Sequence, residues 1–183
     1  MDCLKTKTYA MFRKAAKFAL LNAKESEEGR LWNCMFCVSY SAFALEAYLN
    51  HLGAELLPGW EAWDTSNRPN IHKKLSRIAG DIGKKIDYSV APYNQINGLF
   101  EIRDAIVHGR TYSDPKKVRK PQNNAKGAMI NLSSEVERYC TLNNTEAVFE
   151  AVENIIEGLN SDSLKLSQDR LWSIAGEGSF RTG

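Results

Sequence analysis

The chain has 183 residues, of which 43% are hydrophobic and 25% charged, and its formal net charge is +2. These values are typical of globular proteins. No stretch approaches the roughly 20 apolar residues of a membrane-spanning helix, and the segment after Met1 lacks the apolar run of a signal peptide. We therefore expect a single cytoplasmic domain over residues 1–183 without membrane association. A mitochondrial presequence is disfavoured by the early acids Glu25, Glu27 and Glu28.

Hydrophobic periodicity predicts helices throughout and no strand, so the expected fold class is all-α. The first two helices are predicted from Thr6 to Ala23 and from Leu31 to Leu52. The second is apolar on nearly every side before Glu46, which indicates a central helix. Gly53 follows as a plausible C-terminal stop.

A connector is predicted from Ala54 to Pro69, and its tryptophans are expected to fold back on the helices. A third helix is predicted from Asn70 to Ile82, where apolar residues recur at spacings of four, three and four. Pro92 is expected in the first turn of a fourth helix, because its missing N–H costs nothing there. This helix should close at His108-Gly109.

The next segment, 110–131, is polar and aperiodic, and it predicts a long basic loop. The helical pattern resumes from Thr145 to Asn160, with a short helix possible over Ser133–Leu142 and a last one over Ser163–Ala175. Residues 176–183 are expected to form a flexible tail.

Four cysteines are present, and Cys34 and Cys37 share one helix face in an apolar stretch. A structural zinc site needs two more ligands at recognisable spacing, and none appears. The two thiols are therefore predicted to lie in the core, and no metal or cofactor is expected. The common phosphate-binding, dinucleotide, serine-hydrolase and zinc-protease motifs are also absent.

Charge is unevenly distributed along the chain. Residues 70–126 hold twelve basic and five acidic residues, whereas residues 127–183 hold four basic and nine acidic ones. The basic segment 70–126 could bind a polyanion, or the acidic segment 127–183 could neutralise the basic segment within the molecule. Both interpretations stay open from the sequence.

One group of polar residues, at the end of the fourth predicted helix, could take part in catalysis. Asp104 and His108 lie four residues apart and face one another on an ideal helix. Arg103 is about 140° from His108 around the axis, but its long side chain can curl to border the same cleft. A structural interpretation stands beside this one, in which Arg103 pairs with Glu46 or Glu101 and His108 caps the helix end.

The chemistry that these groups could serve is metal-free RNA cleavage. A histidine near neutrality can give or take a proton, and an adjacent arginine can stabilise the extra negative charge of a pentavalent phosphorus. The 2′-hydroxyl must lose a proton while the leaving 5′-oxygen gains one. One His and one Arg do not comfortably supply all of this, whereas two copies across a two-fold axis could.

The setting of this motif resembles a known superfamily. The stretch Leu99–Gly109 resembles the late-helix signature of the HEPN superfamily (higher eukaryote and prokaryote nucleotide-binding domains): Arg, a polar residue, three variable residues and His. The stretch Ser41–Asn50 looks like the superfamily's second helix, with Glu46 and Asn50 four apart. The resemblance covers roughly residues 31–109 well and the C-terminal helix loosely.

This resemblance implies a bundle of four to five main helices with short additional ones, usually a homodimer with both Arg/His motifs at the interface. Many such proteins are metal-independent endoribonucleases of toxin–antitoxin, abortive-infection or stress-defence systems, acting on single-stranded or transfer RNA, and an antitoxin or other protein partner is possible. By position, Arg103 and His108 would be catalytic, Asp104 would orient His108, and Glu46, with Asn50 beside it, would support Arg103. Others are non-catalytic dimerisation or ligand-binding modules.

Basic residues follow the motif closely, and they are candidate RNA-phosphate contacts: Arg110, Lys116, Lys117, Arg119 and Lys120. A merely solvated basic loop is the alternative. Arg110 also stands where toxins regulated by a nucleotidyltransferase carry tyrosine, so control by tyrosine adenylylation is not expected.

Overall fold

A computed structural model describes residues 7–109 and 134–177, with side chains as far as residue 164. Regular structure in these residues is entirely helical, which confirms the all-α prediction. Five helices have eleven or more residues, and two short ones lie between them. The elements in chain order are α1 (Thr8–Glu25), α2 (Arg30–Leu56), α3 (Trp60–Asn67), α4 (Ile71–Asp81), a 3-10 turn (Tyr93–Gln95), α5 (Ile96–Val107), α6 (Glu135–Tyr139) and α7 (Leu142–Glu177).

The central element is α2, as its all-round apolarity predicted. It packs against α1, α3, α4, α5 and α7. Its buried stripe includes Val38, Leu45 and Leu49, which meet Leu75 of α4 and Ile155 of α7 in one core. Full burial of each such side chain stabilises the fold by about 1.5–3 kcal/mol. The bundle is thus organised around α2, which contacts α1, α3, α4, α5 and α7.

The predicted stop at Gly53 and the connector Ala54–Pro69 are both wrong. α2 continues to Leu56, and the following segment forms α3 from Trp60 to Asn67. The reason is close packing, since a Cβ at Gly53 would lie 2.3 Å from the indole of Trp60. Gly53 therefore admits the indole instead of ending the helix. Trp60 is only 2% exposed, which confirms that it folds back on the helices.

The third and fourth predicted helices are present with shifted starts. Asn70 caps α4, its side-chain oxygen accepting from the Lys73 backbone N–H at 3.0 Å. Pro92 is not in the first turn of α5. Pro92 follows a cis peptide bond and precedes the 3-10 turn. The helix α5 begins after that turn, at Ile96. The predicted end is confirmed, because His108 is the C-terminal cap of α5.

The C-terminal region is one long helix where the sequence predicted two. A short α6 is present with a capping box between Ser134 and Glu137, and α7 then runs from Leu142 to Glu177 without a break. At the predicted gap the Ser163 hydroxyl donates to the Asn160 carbonyl, which keeps that polar group satisfied within the helix. The predicted loop 110–131 lies outside the described residues. The predicted tail 176–183 lies outside them from residue 178 onward.

Acidic residues of α7 pair mainly with bases of α1. Arg13 binds Glu153 through two N–H···O contacts of 2.8 and 2.6 Å, and Lys24 pairs with Glu146. From the basic middle of the chain, Lys84 bonds Asp162 at 2.6 Å. Among the described side chains, the acidic final third therefore neutralises bases of α1 and also Lys84 of the basic middle. None of the helices in the described part of the chain has the length and apolarity needed to traverse a bilayer.

The cysteines of the bundle are buried, as predicted for Cys34 and Cys37, and Cys140 is buried with them. Burial raises the pKa of the Cys37 and Cys140 thiols to about 12. The thiolate is the reactive form. In a Cys3→Ser variant we therefore expect no thiol to react with an aromatic disulfide reagent at about pH 8, and three to react after unfolding in urea. Rapid labelling of the folded variant would contradict this packing.

Candidate functional site

Three groups lie close to the guanidinium of Arg103 at the surface of α5. Its Nε lies 3.1 Å from Asp104 Oδ1, and one terminal nitrogen lies 3.7 Å from Glu46 Oε2 on α2. Its Cζ stands 5.0 Å from the centroid of the Phe100 ring. The side chain keeps 22% of its surface exposed. Arg103 is thus positioned by α2 and α5 together and is still reachable from solvent.

His108 lies at the very end of α5 and is exposed. Its backbone N–H donates to the Asp104 carbonyl at 2.9 Å, which closes the last turn. The Asp104 carboxylate approaches Arg103, so the structure brings Asp104 to the guanidinium. The orientation of His108 by Asp104 stays a prediction.

Glu46 lies next to Arg103, which the structural interpretation and the resemblance both predicted, and it also faces a second cation. Its Oε1 lies 3.7 Å from Lys74 Nζ on α4, while its Oε2 faces Arg103. Lys74 Nζ donates to Asn50 Oδ1 at 2.8 Å and lies 2.8 Å from Asp64 Oδ1 on α3. Charges therefore alternate in sign from Asp64 through Lys74 and Glu46 to Arg103, across four helices.

Lys74 and Asp64 are site residues that sequence reasoning missed. Lys74 is not part of the apolar stripe predicted for α4, but its residue is only 5% exposed. A lysine is almost never buried without partners, and its carboxylate partner Asp64 lay in a segment predicted to be a connector. Two features of the sequence could have pointed to Lys74 as a site residue. They are its position next to Leu75 and the Glu46 and Asn50 pair on α2.

The other two histidines serve aromatic packing. His51 stacks on Tyr9 with ring centroids 5.2 Å apart, and its Nε2 lies 3.4 Å from Glu55. His72 meets the edge of Tyr88 at 4.8 Å. Their aromatic partners distinguish them from His108.

A pocket of about 340 Å³ lies between α5 and α6. It is lined by Glu101, Ile102 and Tyr139 among others, and neither Arg103 nor His108 contributes to it.

The candidate RNA contacts lie outside the described residues: Arg110, Lys116, Lys117, Arg119 and Lys120. Within residues 7–109 and 134–164, no group of three or more His, Cys, Asp or Glu side chains is arranged to hold a metal ion. Comparison of the chain with protein-family models, with curated proteins and with solved structures gives no match.

Proposed function

We propose that this protein is a metal-independent endoribonuclease of the HEPN type that acts as a homodimer. The observation that carries the proposal is the end of α5, where His108 is exposed and the partly exposed Arg103 lies 3.7 Å from Glu46. Both side chains keep surface open to solvent, as the proposed chemistry requires.

In the proposed reaction, the His108 imidazole moves a proton and the Arg103 guanidinium stabilises charge. One imidazole accepts the proton of the 2′-hydroxyl as that oxygen attacks phosphorus. A second imidazole, from the partner copy, gives a proton to the leaving 5′-oxygen. The guanidinium groups stabilise the extra negative charge of the pentavalent species. The products are a cyclic phosphate and a free 5′-hydroxyl.

The resemblance also suggests the biological setting. We propose single-stranded or transfer RNA as the substrate class, and a toxin–antitoxin, abortive-infection or stress-defence role in the cytoplasm. An antitoxin or another protein partner would then restrain the activity.

A second candidate function is a non-catalytic dimerisation or ligand-binding module. It is favoured by the charge balance around Arg103, which faces two carboxylates, Glu46 and Asp104, within one protomer. A guanidinium compensated in this way has less charge to offer a phosphate. This candidate predicts a stable dimer or hetero-complex without RNA turnover.

The deciding experiment incubates the purified chain with end-labelled single-stranded RNA and with transfer RNA in excess EDTA. We expect cleavage, with cyclic-phosphate or 3′-phosphate ends, and growth arrest when the chain is expressed in a bacterial host. The control is the folded double variant Arg103→Ala/His108→Ala, which should cut nothing and leave growth unaffected. Equal cleavage by the double variant would exclude the assignment to these residues.

A further inference from the structure

The buried lysine of α4 is the least explained group near the candidate site. Lys74 is 5% exposed, and its ammonium already has two close oxygen partners, Asn50 Oδ1 and Asp64 Oδ1, each at 2.8 Å. The hydrogen bond to Asn50 and the ion pair with Asp64 offset the cost of removing the ammonium from water. The additional approach to Glu46 is therefore not needed to keep Lys74 buried.

The carboxylate of Glu46 is shared between two cations. Its two oxygens lie 3.7 Å from Lys74 Nζ and 3.7 Å from a terminal nitrogen of Arg103. Both distances are ion-pair distances, and both are longer than a hydrogen bond. Glu46 keeps 34% of its side chain exposed, so it has room to move toward either partner. Neither cation closes on it, which is the arrangement expected when two cations compete for one carboxylate.

We infer that Lys74 is a positioning residue that draws Glu46 away from Arg103 and so keeps the guanidinium available to a phosphodiester. This inference rests on the proposed function and adds to it a residue outside the Arg/His motif. Lys74 touches no substrate, and it acts through Glu46 alone.

Loss of Lys74 would leave the Glu46 carboxylate with a single cation. Glu46 then closes on Arg103 and forms the two parallel N–H···O bonds that a guanidinium and a carboxylate favour. Together with Asp104, it surrounds Arg103 with negative charge. An incoming phosphodiester would have to displace a bonded carboxylate. The expected effect is weaker RNA binding with little change in the chemical step.

The first experiment is a set of three variants assayed on a labelled single-stranded RNA of mixed sequence. Lys74→Met should raise KM about fivefold, with kcat within about twofold. Adding Glu46→Gln should lower KM at least about twofold relative to Lys74→Met, because the competing charge is gone. Adding Asp64→Asn instead should restore stability, measured by urea unfolding, without restoring KM. If Lys74→Met alone does not fold, Lys74→Met/Asp64→Asn takes its place as the starting variant.

The second measurement needs no RNA. The exchange of the two terminal nitrogens of Arg103 by rotation about the Nε–Cζ bond, which a bound carboxylate slows, is followed by NMR, with the signal assigned by its loss in Arg103→Lys. Exchange should slow several-fold in Lys74→Met and recover in Lys74→Met/Glu46→Gln. If the chain cuts no RNA, this measurement still tests the coupling, so the two proposals fail separately. Unchanged exchange in Lys74→Met, or rescue of KM by Asp64→Asn, would overturn the inference.

Discussion

Replacing His108 with alanine is expected to lower the rate of RNA cleavage by about 100- to 10,000-fold, the usual contribution of a positioned acid or base. The imidazole is exposed at the end of α5 and is not part of the core, so the free energy of unfolding should change by less than about 0.5 kcal/mol. Single-turnover cleavage in EDTA measures the first quantity, and urea unfolding measures the second.

His72→Ala is a matched control, since the ring of His72 packs against Tyr88. It should keep cleavage within about twofold of the parent chain. Arg103→Ala should lose about 100-fold or more, because a charge-stabilising donor is removed. Arg103→Lys should recover only part of that loss, because an ammonium cannot contact two phosphate oxygens in the guanidinium geometry. Full activity in His108→Ala would show that the imidazole takes no part in cleavage, whereas a parent chain that cuts no RNA would favour the binding-module alternative.

The second large effect concerns stability. Gly53→Ala is expected to destabilise the bundle by about 3 kcal/mol, at the upper end of the usual range for overpacking. The new methyl group would lie 2.3 Å from the indole of Trp60, which is 2% exposed and cannot swing into solvent without leaving the core. Urea unfolding followed by circular dichroism gives the change directly.

The control for Gly53 is Gly80, a helical glycine of α4 at which an added methyl group would meet no neighbouring group within 4 Å. Gly80→Ala should be neutral or should stabilise the protein by up to about 1 kcal/mol, because alanine is the better helix former. Equal stability of Gly53→Ala and the parent chain would mean that Trp60 does not pack on α2.

The helices with clear periodicity were predictable, and the irregular junctions were not. The stripe Ile71, Leu75 and Ile78 identified α4 because a helix with one buried face leaves a 3.6-residue pattern. The prediction that the helix stops at Gly53 failed because glycine is typical both of helix ends and of close contacts. Only the packing of Trp60, further along the chain, distinguishes the two roles. The break predicted before Ser163 failed since local polarity does not end a helix whose polar groups remain bonded.

The candidate site was partly predictable for a similar reason. Arg103, Asp104 and His108 are close in sequence, so helical spacing was enough to group them. The approach of Glu46 to Arg103 was expected both from the structural interpretation and from the resemblance. Lys74 and Asp64 join the cluster from two further helices, and their residue types favour the surface unless a partner is known. Contacts of this kind depend on tertiary packing, which one sequence does not reveal.

The sharing of α2 by the core and the candidate site has a consequence for how this protein can evolve. One inserted residue in α2 ahead of Leu45 would turn the preceding part of the helix by about 100° relative to the rest. The buried residues before the insertion would then no longer line up with the buried stripe and with Glu46 after it. Changes in chain length are therefore tolerable at the turns and not within this helix, and the candidate site and the hydrophobic core should be inherited together.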